Sequence, residues 1–442
     1  MKKIIMMLST MAFRRDAFAK STPIEKTTEE VRCALYRAIN GTPSENMTKV
    51  IELMGGIDKI IGTEDVVLVK PNVQWWNQGA PNLSAIKTFI DLVMNRQGGF
   101  HGEVVLAENC HRGTTPWTSA HSGWTQVFSR NADLDTIANY NSLSAYLKKK
   151  YGNRFTASHW IDVDSGGKRI FGPSDGPGYV YCDGTGGTPL ISLDNGCKDE
   201  NLREVIMTYP VFKTDNGTIV DFKNGIWDKG TYTKQPLKFV NFSALNHHGT
   251  YTGATSAVKN YLGISDLSGG PDPNKGGQLT EKYFNFHSFP FNKWSSGPTP
   301  GMLGSEIGVF MNMIRKADLN ITTAEWIGLS SRTEPPVAHT KTVIACEDPV
   351  ALDYHACKYL LYPNSRIQVH NPDDEKGPLH QYLLKCAEKS GWSFDEKHVS
   401  IKSYDFEKEK LYIDKNLVIR GDIKWWGSNI KSLTKYVMLK YL

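Results

Sequence analysis

The strongest constraint on this chain is an alternation of short apolar runs with amphipathic stretches. Residues 65–70 (DVVLVK) and 103–107 (EVVLA) are brief, continuous and rich in Val and Leu. That is how a strand buried on both faces reads. Residues 84–94, between them, carry apolar positions at helical spacing. Parallel strands need a long connection, so strand, helix, strand in this order predicts a parallel sheet with right-handed crossovers.

The same rhythm extends along the chain. Residues 43–54 form the first clear helix, with Thr42 as N-cap, Pro43 in the tolerated first position and Glu45 completing a capping box. Residues 134–150 read as a helix, 237–242 as a strand and 253–261 as a helix. Beyond these come helix 302–315, strands 318–322 and 342–346, and helices 348–361 and 379–389. The expected fold is α/β, a mostly parallel sheet with helices on both faces, plus a β-rich insertion and a short β/helix C-terminal tail. By this reading residues 1–30 are a signal or flexible N-terminus and 31–394 the α/β domain. Within that domain lie the insertion at about 164–235 and an aromatic flap at about 265–301, and 395–442 is a C-terminal extension.

Composition narrows the function classes. The net charge is +5, and the Lys and Arg residues are scattered without a basic block. A nucleic-acid surface would show a clustered basic face. None of the seven cysteines forms a CxxC pair, so no intrinsic iron–sulfur cluster is expected. Their odd number and wide spacing point to a reducing compartment. At the start, Met1-Lys2-Lys3 precedes an apolar run, but Arg14-Arg15-Asp16 interrupts it before Ala17-Phe18-Ala19. A cytoplasmic protein is expected, with export as the alternative. No apolar stretch is long enough for a transmembrane span.

In open parallel sheets, ligands bind beyond the carboxyl ends of the strands. The residues that follow the proposed strands are polar: Lys70-Pro71-Asn72, Glu108-Asn109-Cys110-His111, Asn246-His247-His248, Thr323 with Glu325, and Glu347-Asp348. Loops are polar in any case, so only convergence of several on one edge would make a site. The richest segment is 246–263 (NHHGTYTGATSAVKNYLG). A helix starting near Thr252 would direct free amides at an anion. Thr255 and Lys259, four apart, would share a face, and His248 precedes the turn. The bland alternative makes Thr252 a cap, leaves Lys259 solvated and packs the histidines. Glu108, His111, His248 and Asp353 have metal-ligand side chains, although their spacing does not select a divalent metal. Trp75-Trp76 fits ring stacking and core packing equally well.

Three segments are similar to the family called domain of unknown function 362, often fused to ferredoxin-type domains. Residues 66–72 (VVLVKPN) resemble its early strand ending in Lys-Pro-Asn. Residues 240–263 resemble its central His, Thr, Lys-Asn and Gly signature, which falls here on His248, Thr255, Lys259-Asn260 and Gly263. Residues 347–360 (EDPVALDYHACKYL) resemble its late Asp-Pro-Val-Ala-x-Asp element. Asn246 departs from the pattern, where the family often has Lys. The cysteine-rich cluster region is absent, so a redox centre would sit on a partner.

The expectation is therefore an enzyme acting on a small anionic substrate, metal-assisted or redox-linked. The alternative is a non-catalytic ligand-binding protein, or a partner of an iron–sulfur or other redox protein. His248 and Lys259 are the expected catalytic residues. Lys70, Asn72, Thr252, Thr255 and Asn260 are the expected anion ligands, and Glu108, His248 and Asp353 the metal ligands.

Overall fold

A computed structural model describes residues 32–109, 122–125, 127, 130–160, 168–193, 204–267, 279–285, 287, 300–392, 394, 396–425 and 429–441. Nine strands form the backbone of the main sheet. They are β1 (Cys33–Ile39), β2 (Val66–Pro71), β3 (Glu103–Glu108), β4 (Phe155–His159), β5 (Leu237–His247), β6 (Leu319–Gly328), β7 (Val337–Cys346), β8 (Val399–Asp405) and β9 (Lys410–Ile413). Their order is β9-β8-β1-β7-β6-β5-β2-β3-β4. Short strands Ala254–Thr255 and Asp422–Lys424 join beside β5 and β7.

The run from β6 through β5, β2 and β3 to β4 is parallel throughout. The apolar runs explain this arrangement. Val66 and Leu68 of β2 enter one hydrophobic core, Val67 and Val69 another, so alternate side chains of one strand feed two separate clusters. Residues 31–442 form one compact unit, and the expected C-terminal extension is part of it, with β8 pairing parallel to β1 along its whole length.

The helices are α1 (Pro43–Leu53), α2 (Leu83–Met94), α3 (Tyr140–Tyr151), α4 (Ala257–Asn260), α5 (Pro300–Met313), α6 (Pro349–Ala356), α7 (Tyr362–Ser365), α8 (Pro378–Ser390) and α9 (Ile430–Tyr441). The capping box of α1 forms as its sequence predicts. Asp348 caps α6, accepting from the Val350 and Ala351 amides. α3 starts later than its apolar pattern suggests, because Asn139 caps it at Tyr140. Strands β1 and β4 lack a strong sequence signal and were not expected.

Two expectations need correction. Strand β7 is antiparallel to both β1 and β6. Its end, with Glu347 and Asp348 behind it, therefore lies at the opposite edge of the sheet from the ends of β2, β3 and β5. The five loops do not converge on one edge. Second, β6 runs on to Gly328, so Thr323 and Glu325 lie inside the strand. Glu325 pairs there with His339 at 2.6 Å.

The β-rich region is real. Strands from Arg169–Ile170 to Thr231–Tyr232 build a six-stranded second sheet. It braces the segment after α4. Tyr179 donates to the Ile264 carbonyl, Tyr181 donates to Asp266 at 2.7 Å, and the Asp266 amide donates to Thr208. Most of the expected aromatic flap lies outside the described residues, as do Cys110, His111 and residues 1–30. Among the described residues, no helix is long and apolar enough to cross a membrane.

Candidate functional site

Segment 246–263 leaves the carboxyl end of β5, turns back through Ala254–Thr255 against Asn246 and His247, and enters α4. The turn needs its glycine. Gly253 has φ +70, and a Cβ there would meet the Val369 carbonyl oxygen at 2.1 Å. The helix is shorter than its sequence suggests, beginning at Ala257. Thr252 is consequently not at a helix N-terminus. Its hydroxyl donates within the turn to the Ala254 carbonyl at 2.9 Å.

The amides expected to hold an anion already hold one. The Asp353 carboxylate accepts from the Ala257 amide at 2.8 Å and the Val258 amide at 2.9 Å. Burial pushes this carboxyl up to about 7, while these amides and Ser256 oppose the rise. Asp353 is thus the internal anion of α4, with each of its oxygens accepting a backbone amide.

The far end of α4 is fixed by a buried polar chain. Asn320, Asn241 and Lys70 stand side by side in register across β6, β5 and β2. Asn241 donates to Asn320, Asn260 donates to Asn241, and the Lys70 ammonium donates to Asn260. Lys70 also donates to the Pro71 carbonyl at 3.0 Å and to Glu108 at 3.3 Å. Three N–H donors therefore meet three acceptors, and Lys70 has nothing left for a ligand. Glu108 accepts the Val73 amide on its other oxygen at 2.8 Å. Burial raises Glu108 to about 7 against the pull of Lys70, and burial lowers Lys70 against the pull of Glu108. Gly263 makes room for this pair, since a Cβ there would lie 2.7 Å from Lys70 Nζ.

The expected anion ligands therefore divide. Lys70 and Asn260 come together, but they serve the fold. Asn72 also serves the fold, accepting the Ala244 amide at 2.8 Å and donating to the Gly79 carbonyl. It supplies the partner that β5 lacks beside its register shift at Ala244 and Asn246. Asn246, the departure from the family pattern, bridges Gln78 and Gly328. The expected metal set does not assemble, because Glu108 and Asp353 are each engaged by other partners. Among the described residues, no group of three His, Cys, Asp or Glu side chains could hold a metal ion.

What remains is His248, Thr255 and Lys259. The buried Nδ1 of His248 and hydroxyl of Thr255 have no hydrogen-bond partner. Lys259, partly buried, has no hydrogen-bond or ion-pair partner among the described residues. Burial and Arg332 push it down to about 7. His248 is held well below the usual imidazole range by burial, with Lys259 and Arg332 adding to the effect. The imidazole is therefore neutral at pH 7. Among the described residues, no carboxylate figures in the groups that set either residue's proton affinity. Arg332, which the sequence gave no reason to select, lies with its guanidinium 4.4 Å from the centre of the Trp75 ring. That contact uses one face of Trp75 for a protein cation.

A second histidine was also missed. His247 Nδ1 lies 2.8 Å from His370 Nε2, and His370 Nδ1 lies 2.6 Å from the Ser365 hydroxyl. Burial pushes His370 down to about 3. This neutral relay fixes the His247 ring at the end of β5. The adjacent pair in the sequence was a visible signal, but residues 247 and 370 are too far apart for any local pattern to join them.

Set against models of known protein families, curated proteins and solved structures, the chain matches none.

Proposed function

We propose that this chain is an enzyme that binds a small anionic substrate at the carboxyl edge of β5 and performs acid/base chemistry on it. The observation that carries this reading is two buried atoms without a hydrogen-bond partner, His248 Nδ1 and Thr255 Oγ1, in the same segment as Lys259, which has no ion-pair partner among the described residues and lies within the field of Arg332. Buried polar groups are normally paired, and a partly desolvated cation without a counter-ion costs free energy. Thr255 lies on the short strand ahead of α4 and not on the helix face expected with Lys259, so an incoming carboxylate or phosphate would find its cation at Lys259. His248, neutral and unpartnered on one nitrogen, suits a general base. Lys259, with a pKa of about 7, can anchor the anion or return a proton.

The rigid surroundings support this reading. α4 is pinned at its start by Asp353 and at its end by the Asn260–Lys70–Glu108 chain. Lys259 lies between these anchors, so its position is set before a ligand arrives. Helices covering both faces of the main sheet, and kinship with the domain of unknown function 362, belong to the same reading. The kinship rests on the three sequence segments alone.

The test combines calorimetry with NMR. Wild type should bind inorganic phosphate or acetate, and it should turn over at least one member of a panel of small carboxylates and phosphate esters. His248→Ala should keep binding and lose turnover, while Lys259→Met should lose both. Binding without turnover across the panel would favour the non-catalytic reading. Unchanged binding in Lys259→Met would refute the site itself.

A further inference from the structure

The C-terminal helix encloses a second feature. Asn429 caps α9, accepting the Ser432 amide at 2.8 Å, and Tyr436 anchors the helix by donating to the Ser365 carbonyl at 3.2 Å. Between α9 and the turn at Ser330–Glu334 lies a cavity of about 790 Å3. That lies within the usual range for small-molecule sites, roughly 300–1,000 Å3. Lys431 and Lys435 of α9 line it, with Met438 beside them. Ser330 lines the opposite wall; it is fully buried and its hydroxyl has no partner. Ser331 contributes less, because its oxygen accepts the Thr333 and Glu334 amides of its own turn. One carboxylate, Glu334, is on the wall, and its field also reaches Arg130.

This cavity borders the end of β5, because Asn246 pairs with Thr255 on one side and with Gly328 on the other, and Gly328 leads into the cavity's turn. Arg332 belongs to the cavity's turn, and its charge acts on Lys259 and His248 on one side and on Lys435 on the other. Lys435 also acts on His247 at the end of β5. Lys259, Arg332, Lys435 and Lys431 thus form a series of cations between α4 and α9, with Glu334 the one carboxylate among the described residues of the cavity wall. One small anion can neutralise only one end of it.

We infer that the substrate carries two acidic groups, one held at Lys259 and the second in the cavity under α9 by Lys435 and Lys431, with Ser330 available to a hydroxyl or acid oxygen. The inference rests on the reading of the β5 edge as the reacting end. The class of ligand is a dianion with separated charges, such as an α,ω-dicarboxylate or a phosphorylated carboxylate. A monoanion would leave Lys435 and Lys431 unused. Met438 and Leu439 give the cavity an apolar wall that suits the methylene chain between the two acid groups.

The test uses the full chain and two chain-length series measured by calorimetry, monocarboxylates from acetate to hexanoate and α,ω-dicarboxylates from malonate to suberate. The best dicarboxylate should bind at least tenfold tighter than the monocarboxylate of equal length. Lys431→Met/Lys435→Met changes two exposed side chains, so the fold should survive. It should remove the dicarboxylate advantage and leave monocarboxylate binding unchanged. Ser330→Ala provides a second probe of the same wall and should weaken the dicarboxylates selectively. Equal binding of the two series by wild type would overturn the inference, as would a dicarboxylate advantage that survives the double substitution. Lys259→Met separates the two readings. If it spares the monocarboxylates while the Lys435-dependent gain persists, the β5-edge reading fails and the cavity stands as an acid-binding site. Failure to bind either series would overturn both.

Discussion

An unpartnered, partly buried cation should make the folded protein less stable than it would be without that charge. Lys259→Met tests this directly, because Met keeps most of the stem and removes the ammonium. A tenfold change in proton affinity is worth about 1.4 kcal/mol. Lys259 falls from 10.5 to about 7, which on this scale corresponds to about 4–5 kcal/mol. Residual solvent contact screens part of it, so Lys259→Met should stabilise the fold by about 2 kcal/mol at pH 6. The sign follows from the direction of the displacement. Between pH 7 and 10.5 the unfolded chain holds this proton and the folded chain does not, so wild-type stability rises with pH across that window. The penalty is complete below about pH 7 and vanishes as the pH passes 10.5. Urea unfolding followed by Trp fluorescence at pH 6, 8.5 and 10 should show the gap between variant and wild type closing. Saturating phosphate should narrow it at pH 6 by stabilising wild type alone. A destabilised variant at pH 6, or a gap independent of pH, would refute the idea that Lys259 awaits an anion.

Two further predictions concern the groups that position the site. Lys70→Met strands Glu108 in the core and should cost about 3–5 kcal/mol in urea unfolding, whereas Lys70→Met/Glu108→Gln should recover more than half of that; additive losses would mean the two side chains do not act as a pair. Asp353→Asn can satisfy only one of the two amides of α4 and should cost about 1.5–3 kcal/mol; hydrogen exchange at Ala257 and Val258 should accelerate selectively, and unchanged protection there would exclude the internal-anion role.

Much of the parallel core was legible because its signals are local. The runs of β2 and β3, the amphipathic spacing of α2 and the caps at Thr42 and Asp348 each depend on a few neighbouring residues. β1 and β4 were not legible, since each becomes a strand by pairing with a partner distant in sequence. The direction of β7 is the clearest case. An apolar strand reads the same whether it runs up or down the sheet, and only its pairing with β1 and β6 sends Glu347 and Asp348 to the far edge.

The site divides in the same way. The sequence by itself placed 246–263 after a strand and at a helix, and singled out His248, Thr255 and Lys259, but it ended the strand too early and started the helix too soon. It could not tell which polar residues were already satisfied. Lys70, Asn260, Glu108 and Asp353 have the right chemistry for a ligand, yet their partners come from β2, β3, α4 and α6. Tertiary structure alone decided that Lys70, Glu108 and Asn260 engage one another and Asp353 the amides of α4, while Lys259 has no counter-ion among the described residues and lies within the field of Arg332. The physical reason is that charge and hydrogen-bond satisfaction are settled over distances of a few ångströms in space, whatever the separation along the chain.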